Sequence, residues 1–90
     1  MNTPDDIERW VNSIEQVLLA RPLEPVERFV LYQSCLGKKY TEMAEESGYG
    51  SHYMKEVGSH LWQDLSQVLG QRVTKKNLLL VLKQIQTHDP

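Results

Sequence analysis

The stretch that decides the fold is Tyr40–Leu61, YTEMAEESGYGSHYMKEVGSHL. It reads as a short helix, a glycine turn and a second helix of one buried unit. Ala44 is small where two helices must cross closely, and Gly48, four residues on, can take the left-handed conformation that ends the first helix. Met54 and Val57, three apart, supply the inward face of the second, with Ser51 placed to cap it. This is the pattern of a helix-turn-helix, a unit that often lays its second helix in the major groove of DNA.

Working outward, Thr3-Pro4-Asp5-Asp6 reads as a helix start, with Thr3 as N-cap, Pro4 at the first helical position and acids where the macrodipole favours them. Ile7, Trp10, Val11, Ile14, Val17 and Leu18 follow at spacings of three and four, which predicts an amphipathic helix over about residues 4–20. Arg21-Pro22-Leu23-Glu24-Pro25 breaks it, and Pro25 can open the next helix. Val26, Phe29, Val30, Gln33 and Leu36 lie near one stripe of that helix, which Gly37 stops. Met43, Ala44 and Tyr49 form the apolar side of the short third helix, and Glu42, Glu45 and Glu46 point outward. The fourth helix has Met54, Val57, Leu61, Trp62, Leu65 and Leu69 inward and Gly70 at its end. Thr74 caps a fifth, whose apolar content is Leu78, Leu79, Val81, Leu82 and Ile85, with Gln86–Pro90 as a fraying tail.

No window alternates with period two and no hairpin turn appears, so the reading is all-α: a four- to five-helix domain with a helix-turn-helix core. The expected division is an N-terminal helix over about 4–20, a core over 25–69 and a C-terminal helix over 74–86. Gly58 inside a helix costs about 1 kcal/mol relative to alanine and implies close approach of the second or third helix. Trp10 and Trp62 fall on apolar stripes and read as core anchors. Leu78–Leu82 exceeds what one buried stripe can use, so Leu79 or Leu80 should face outward.

Ninety residues with 40% hydrophobic and 24% charged content describe an ordinary globular chain. No run approaches the length of a membrane span, and the start lacks the basic and apolar regions of a secretory signal. A single cysteine, Cys35, excludes an internal disulfide and fits a reducing cytoplasm. The formal net charge of −2 argues against strong autonomous DNA binding. Its distribution is uneven: residues 1–36 carry three Arg against six acids, residues 37–60 three Lys against four Glu, and residues 61–90 four basic against two acidic groups.

The segment Phe29–Leu78 resembles the N-terminal helix-turn-helix domain of bacterial vWA-MoxR-associated proteins. The residues that carry the resemblance are Gln33-Ser34, Gly37-Lys38, Tyr40, Glu42-Met43-Ala44, Gly48-Tyr49, Tyr53-Met54-Lys55-Glu56-Val57-Gly58 and Leu61-Trp62, with Val73-Thr74-Lys75-Lys76-Asn77 fitting the end of the pattern. Lys39 stands where that pattern has a small capping residue. The resemblance implies a module that stands before a larger ATPase, protease or repeat region of a signalling or conflict protein, and that these residues are a fragment or a stand-alone relative of it.

If the fourth helix enters a groove, Ser51, His52, Tyr53, Lys55 and Ser59 are its readers, beside Glu56 and with His60 further along. Lys38, Lys39, Lys75 and Lys76 are the candidate backbone contacts. About four lysines on phosphates give a salt slope of roughly −3 to −4, so a monomer binds weakly and useful affinity needs a dimer or an array. Glu56 opposes this reading, because phosphate repels a carboxylate unless it accepts from a cytosine amine. The expected partner is double-stranded DNA; the rival is a homodimer, or a larger fused or partner protein met through helices 1 and 5. A continuous positive face over Lys38, Lys55 and Lys75 favours DNA, and interruption by Glu42, Glu45 and Glu56 favours protein.

No catalytic residue, cofactor, small-molecule substrate or membrane partner is expected. Cys35 has no His or Asn in a nucleophile-activating arrangement and reads as a small buried hydrophobe. His52, Glu56 and His60 repeat every four residues, but His52 and His60 are then about 12 Å apart and cannot share one metal ion.

Overall fold

Two prolines, three left-handed glycines and two side-chain caps divide this chain into helices. The computed structural model describes the backbone of residues 4–87 and the side chains of residues 5–84. Thr3 as a cap, Ile85 as a core residue and the tail beyond Thr87 lie outside the described residues. The helices are α1 (Pro4–Ser13), α2 (Pro25–Cys35), α3 (Tyr40–Ser47), α4 (Ser51–Leu69) and α5 (Leu78–Thr87), with a π turn over Ile14–Leu18 continuing α1. The fold is all-α, as the periodicity predicts, and no strand occurs among the described residues.

The first helix departs from its simple 3.6-residue pattern. Leu19 N–H bonds Ile14 O at 2.8 Å, five residues back, and Ala20 at φ 53° ends the segment. The wider turn shifts the register, so Ile14 is fully buried while Val17, predicted inward, is 74% exposed. Glu15, inside this turn, reaches forward and accepts the Leu23 N–H at 2.7 Å and a nitrogen of Arg28 at 2.9 Å. That single carboxylate fixes both the proline-broken linker and the approach of α2.

Pro25 opens α2, and Glu27 Oε1 accepts the Glu24 N–H at 2.9 Å, satisfying one N-terminal donor. Packing against α1, α4 and α5 gives α2 a broad buried face, Val30, Leu31, Ser34 and Cys35. Leu36, predicted on the stripe, lies past the last turn and is exposed. Burial alone pushes the Cys35 thiol up to about 12, which leaves it an inert apolar group.

Arg21 meets Glu27 in a paired contact of 3.0 and 2.9 Å and touches Asp64 of α4 at 3.4 Å. The hydrogen bond from Arg21, aided by the Glu24 N–H, holds the Glu27 carboxyl below its ordinary range. A lowered folded-state value stabilises the fold above the unfolded-chain value, and this is lost as pH falls through the folded one. The urea midpoint should therefore drop between about pH 5 and pH 3, and drop less steeply in Glu27→Gln.

α3 and α4 are the predicted pair. Gly48 takes φ 82° and stops α3, while Gly50, rather than Ser51, is the N-cap of α4; Ser51 is already helical. Tyr49, predicted on the apolar side, is exposed and lies 5.2 Å from the Tyr53 ring. Met43 and Met54 are fully buried between the helices; at about 1.5–3 kcal/mol for each such side chain, this junction carries much of the local stability.

Gly70 ends α4 at φ 67°. Ser66 then ties the helix to the next segment, donating to Trp62 O at 2.7 Å and accepting the Val73 N–H at 2.8 Å. Thr74 and Asn77 exchange reciprocal bonds, Thr74 N–H to Asn77 Oδ1 at 2.7 Å and Asn77 N–H to Thr74 Oγ1 at 3.2 Å, but these close a turn over residues 75–77, and α5 begins at Leu78 rather than at the predicted Thr74 cap. Of the leucine run, Leu79 packs on the core and Leu80 is 61% exposed. Leu80→Lys should leave the unfolding free energy within about 0.5 kcal/mol, whereas Leu79→Lys lowers it by more, as urea titration can resolve.

Candidate recognition face

Tyr40, the first residue of α3, organises the surface around the helix pair. Its hydroxyl accepts the Trp62 indole N–H at 3.0 Å, and its ring lies against Gly58. A Cβ at Gly58 would stand 2.5 Å from the Tyr40 hydroxyl, so glycine is required by close approach of the third helix, one of the two neighbours expected. On another side of the ring, the Lys75 ammonium lies 5.5 Å from the centroid, in cation–π range. This contact draws the turn before α5 to the start of α3, so Lys75 lies on the residue that directly follows Lys38 and Lys39, although the chain separates them by more than thirty residues.

The predicted site residues fall into two sets. Lys38 is half-buried and Lys39 exposed at the start of α3; Lys75 is half-buried on Tyr40 and Lys76 is exposed beside it. Lys38 and Lys39 adjoin Tyr40 in the chain and Lys76 adjoins Lys75, so the Tyr40–Lys75 contact anchors one lysine edge. Ser51, His52, Tyr53, Lys55 and Ser59 are exposed on α4. With 3.6 residues per turn, the buried Met54, Gly58, Leu61, Trp62 and Leu65 define the inner side, and Glu56 stands opposite, flanked by His52 and His60. The Glu56 side chain is 58% exposed, with a carboxylate oxygen 4.0 Å from His52 Nε2.

Carboxylates also enter the lysine edge. Lys39 has no side-chain acceptor to cap α3, and Glu42 fills that role by accepting the Lys39 N–H at 2.9 Å. The position where a phosphate would meet the positive helix end thus already holds a carboxylate. Glu42, Glu45 and Glu46 are all exposed on α3. The positive face is interrupted at both helices of the pair.

A cleft of about 340 Å³ opens on the other flank of α4, lined by Arg21, Glu24, Val26, Glu27, Tyr53, Glu56, Val57 and His60. Neither Tyr40 nor this cleft was among the site residues read from sequence. Gly58 and Trp62, four apart on one helix face, are the signal that a large side chain crosses there; no local signal places Glu24 opposite Glu56.

The fold and this paired-helix face define a helix-turn-helix domain. More narrowly, the family of vWA-MoxR associated protein N-terminal HTH domains matches residues 3–85, and this chain belongs to that family. No curated protein and no solved structure matches the chain. Among the described residues, no helix is long and apolar enough to cross a membrane.

Proposed function

We propose that this domain is a non-enzymatic protein-recognition module of helix-turn-helix fold, which docks a larger bacterial signalling or conflict protein through the mixed-charge surface of α4. The observation that carries the reading is Glu56. It occupies the middle of the outward face of α4, the part of a groove-reading helix that lies nearest the bases, where DNA phosphates repel a carboxylate. The carboxylate of Glu42 at the start of α3 adds to this. Mixed charges on an accessible face are the means by which protein interfaces select partners and fix register.

Double-stranded DNA is the second reading, favoured by the placing of Lys75 on Tyr40, the residue that follows Lys38 and Lys39. A mobility-shift assay separates the two. Protein recognition predicts no shift of duplex DNA by micromolar protein at about 50 mM salt, where electrostatic binding is strongest. A salt-sensitive shift that Lys55→Glu abolishes, with the helical spectrum intact, would overturn the protein reading in favour of DNA.

A further inference from the structure

We infer that this domain associates head-to-tail with a second copy of itself, the lysine edge of one copy entering the cleft between α2 and α4 of the next. The inference rests on the protein-recognition reading and names the partner. Two surfaces of opposite charge are present. The edge is anchored where Lys75 lies over the Tyr40 ring, with Lys38 and Lys39 just before Tyr40 in the chain and Lys76 just after Lys75. The cleft pairs Arg21 with Glu27 internally, at 2.9 Å, which leaves Glu24 and Glu56 as the carboxylates offered to an incoming cation.

The shape of the cleft suits lysine side chains. Val26, Val57 and Tyr53 give an apolar wall for the aliphatic stem, with the carboxylates placed for the ammonium. About 340 Å³ is near the low end of small-ligand pockets, so it admits side chains rather than a helix.

The two surfaces lie on opposite flanks of α4. Tyr53, Val57 and His60 face the cleft, whereas Gly58 and Trp62 meet Tyr40 beneath the lysine edge. One copy therefore cannot close its own edge into its own cleft. A two-fold contact through either surface would set lysine against lysine or Glu56 against Glu56, so the complementary contact is heterologous.

Charge reversal tests this without touching the core. Lys39→Glu/Lys76→Glu reverses the edge and Glu24→Lys/Glu56→Lys reverses the cleft, all at exposed positions. Light scattering is run on roughly 0.5 mM protein, because exposed ion pairs are weak one by one. The wild-type chain should exceed its monomer mass of 10.5 kDa at about 50 mM salt and return towards it at about 500 mM. Each double variant alone should stay at the monomer mass, and an equimolar mixture of the two should regain association. Glu45→Lys/Glu46→Lys changes the net charge as much as the cleft reversal does but leaves edge and cleft intact, so it should associate as the wild-type chain does; a fall to the monomer mass there would reduce the effect to general charge and overturn the proposal. It is also overturned by a wild-type chain that is monomeric throughout, or by association that either double variant retains. Those results leave protein recognition standing, since only the DNA shift lost in Lys55→Glu removes it.

Discussion

Gly58→Ala should lower the stability of this domain by about 2 kcal/mol, although alanine is the better helix former by about 1 kcal/mol. The cause is the Tyr40 side chain, whose hydroxyl would lie 2.5 Å from the new methyl and whose ring carbons would lie 3.0 and 3.1 Å away. The hydroxyl cannot simply swing aside, because it accepts the indole N–H of Trp62, a residue only 7% exposed. Moving the ring leaves that donor without its acceptor, at a cost of about 1–3 kcal/mol, or forces α3 away from α4. Thermal denaturation should register a fall of roughly 8–16 °C. Tyr40→Phe in the same chain removes the nearest atom, so the double variant should be more stable than the sum of the two single effects by about 0.5 kcal/mol or more. Strict additivity would show that the methyl group never meets Tyr40.

The second large effect is expected at Glu15. Glu15→Ala should cost about 2–3 kcal/mol, because its carboxylate accepts both the Leu23 N–H and Arg28, and charged hydrogen bonds of this kind are worth about 1.5–3 kcal/mol. Arg28 retains weaker contacts, at 3.2 Å to Asn12 and 3.7 Å to Glu8, so its loss is partly made good. The Leu23 N–H has no such alternative given by the fold, and Leu23 is buried. Glu15→Gln should recover part of the loss, since an amide oxygen still accepts from one donor. Urea denaturation of the three chains distinguishes this from a general surface-charge effect, in which Ala and Gln would behave alike.

Both effects concern contacts that local pattern could only hint at. A glycine within a helix announced close approach, but Tyr40 as the neighbour followed from how α3 crosses α4. The stretches that read correctly are those with a local cause: the Gly48 turn, the Gly70 stop, and the burial of Met43, Met54 and both tryptophans. Those that shifted did so where a local rule met a tertiary one. The π turn rotated Val17 into solvent, the wide buried face of α2 favoured Leu31 and Cys35 over Leu36, and Gly50 displaced Ser51 as the cap.

Of the nine site residues read from sequence, Lys75 lies on Tyr40, the residue after Lys38 and Lys39, and the five on α4 are exposed. Exposure was legible because the inner stripe of α4 is unambiguous. The meaning of that face was not, because it depends on charges from other elements: Glu42 across the start of α3, Lys75 drawn in from the turn before α5, and Glu24 facing the cleft from the N-cap of α2.

The sequence by itself determined the helices, the turn between α3 and α4 and the family, since periodicity, glycine conformation and capping act over a few residues. Tertiary structure alone decided that Tyr40 joins α3, α4 and the turn before α5, that a lysine edge and an acidic cleft lie on opposite flanks of α4, and that Glu56 stands at the centre of its open face. Those arrangements arise from the angles at which helices pack, and no run of neighbouring residues encodes them.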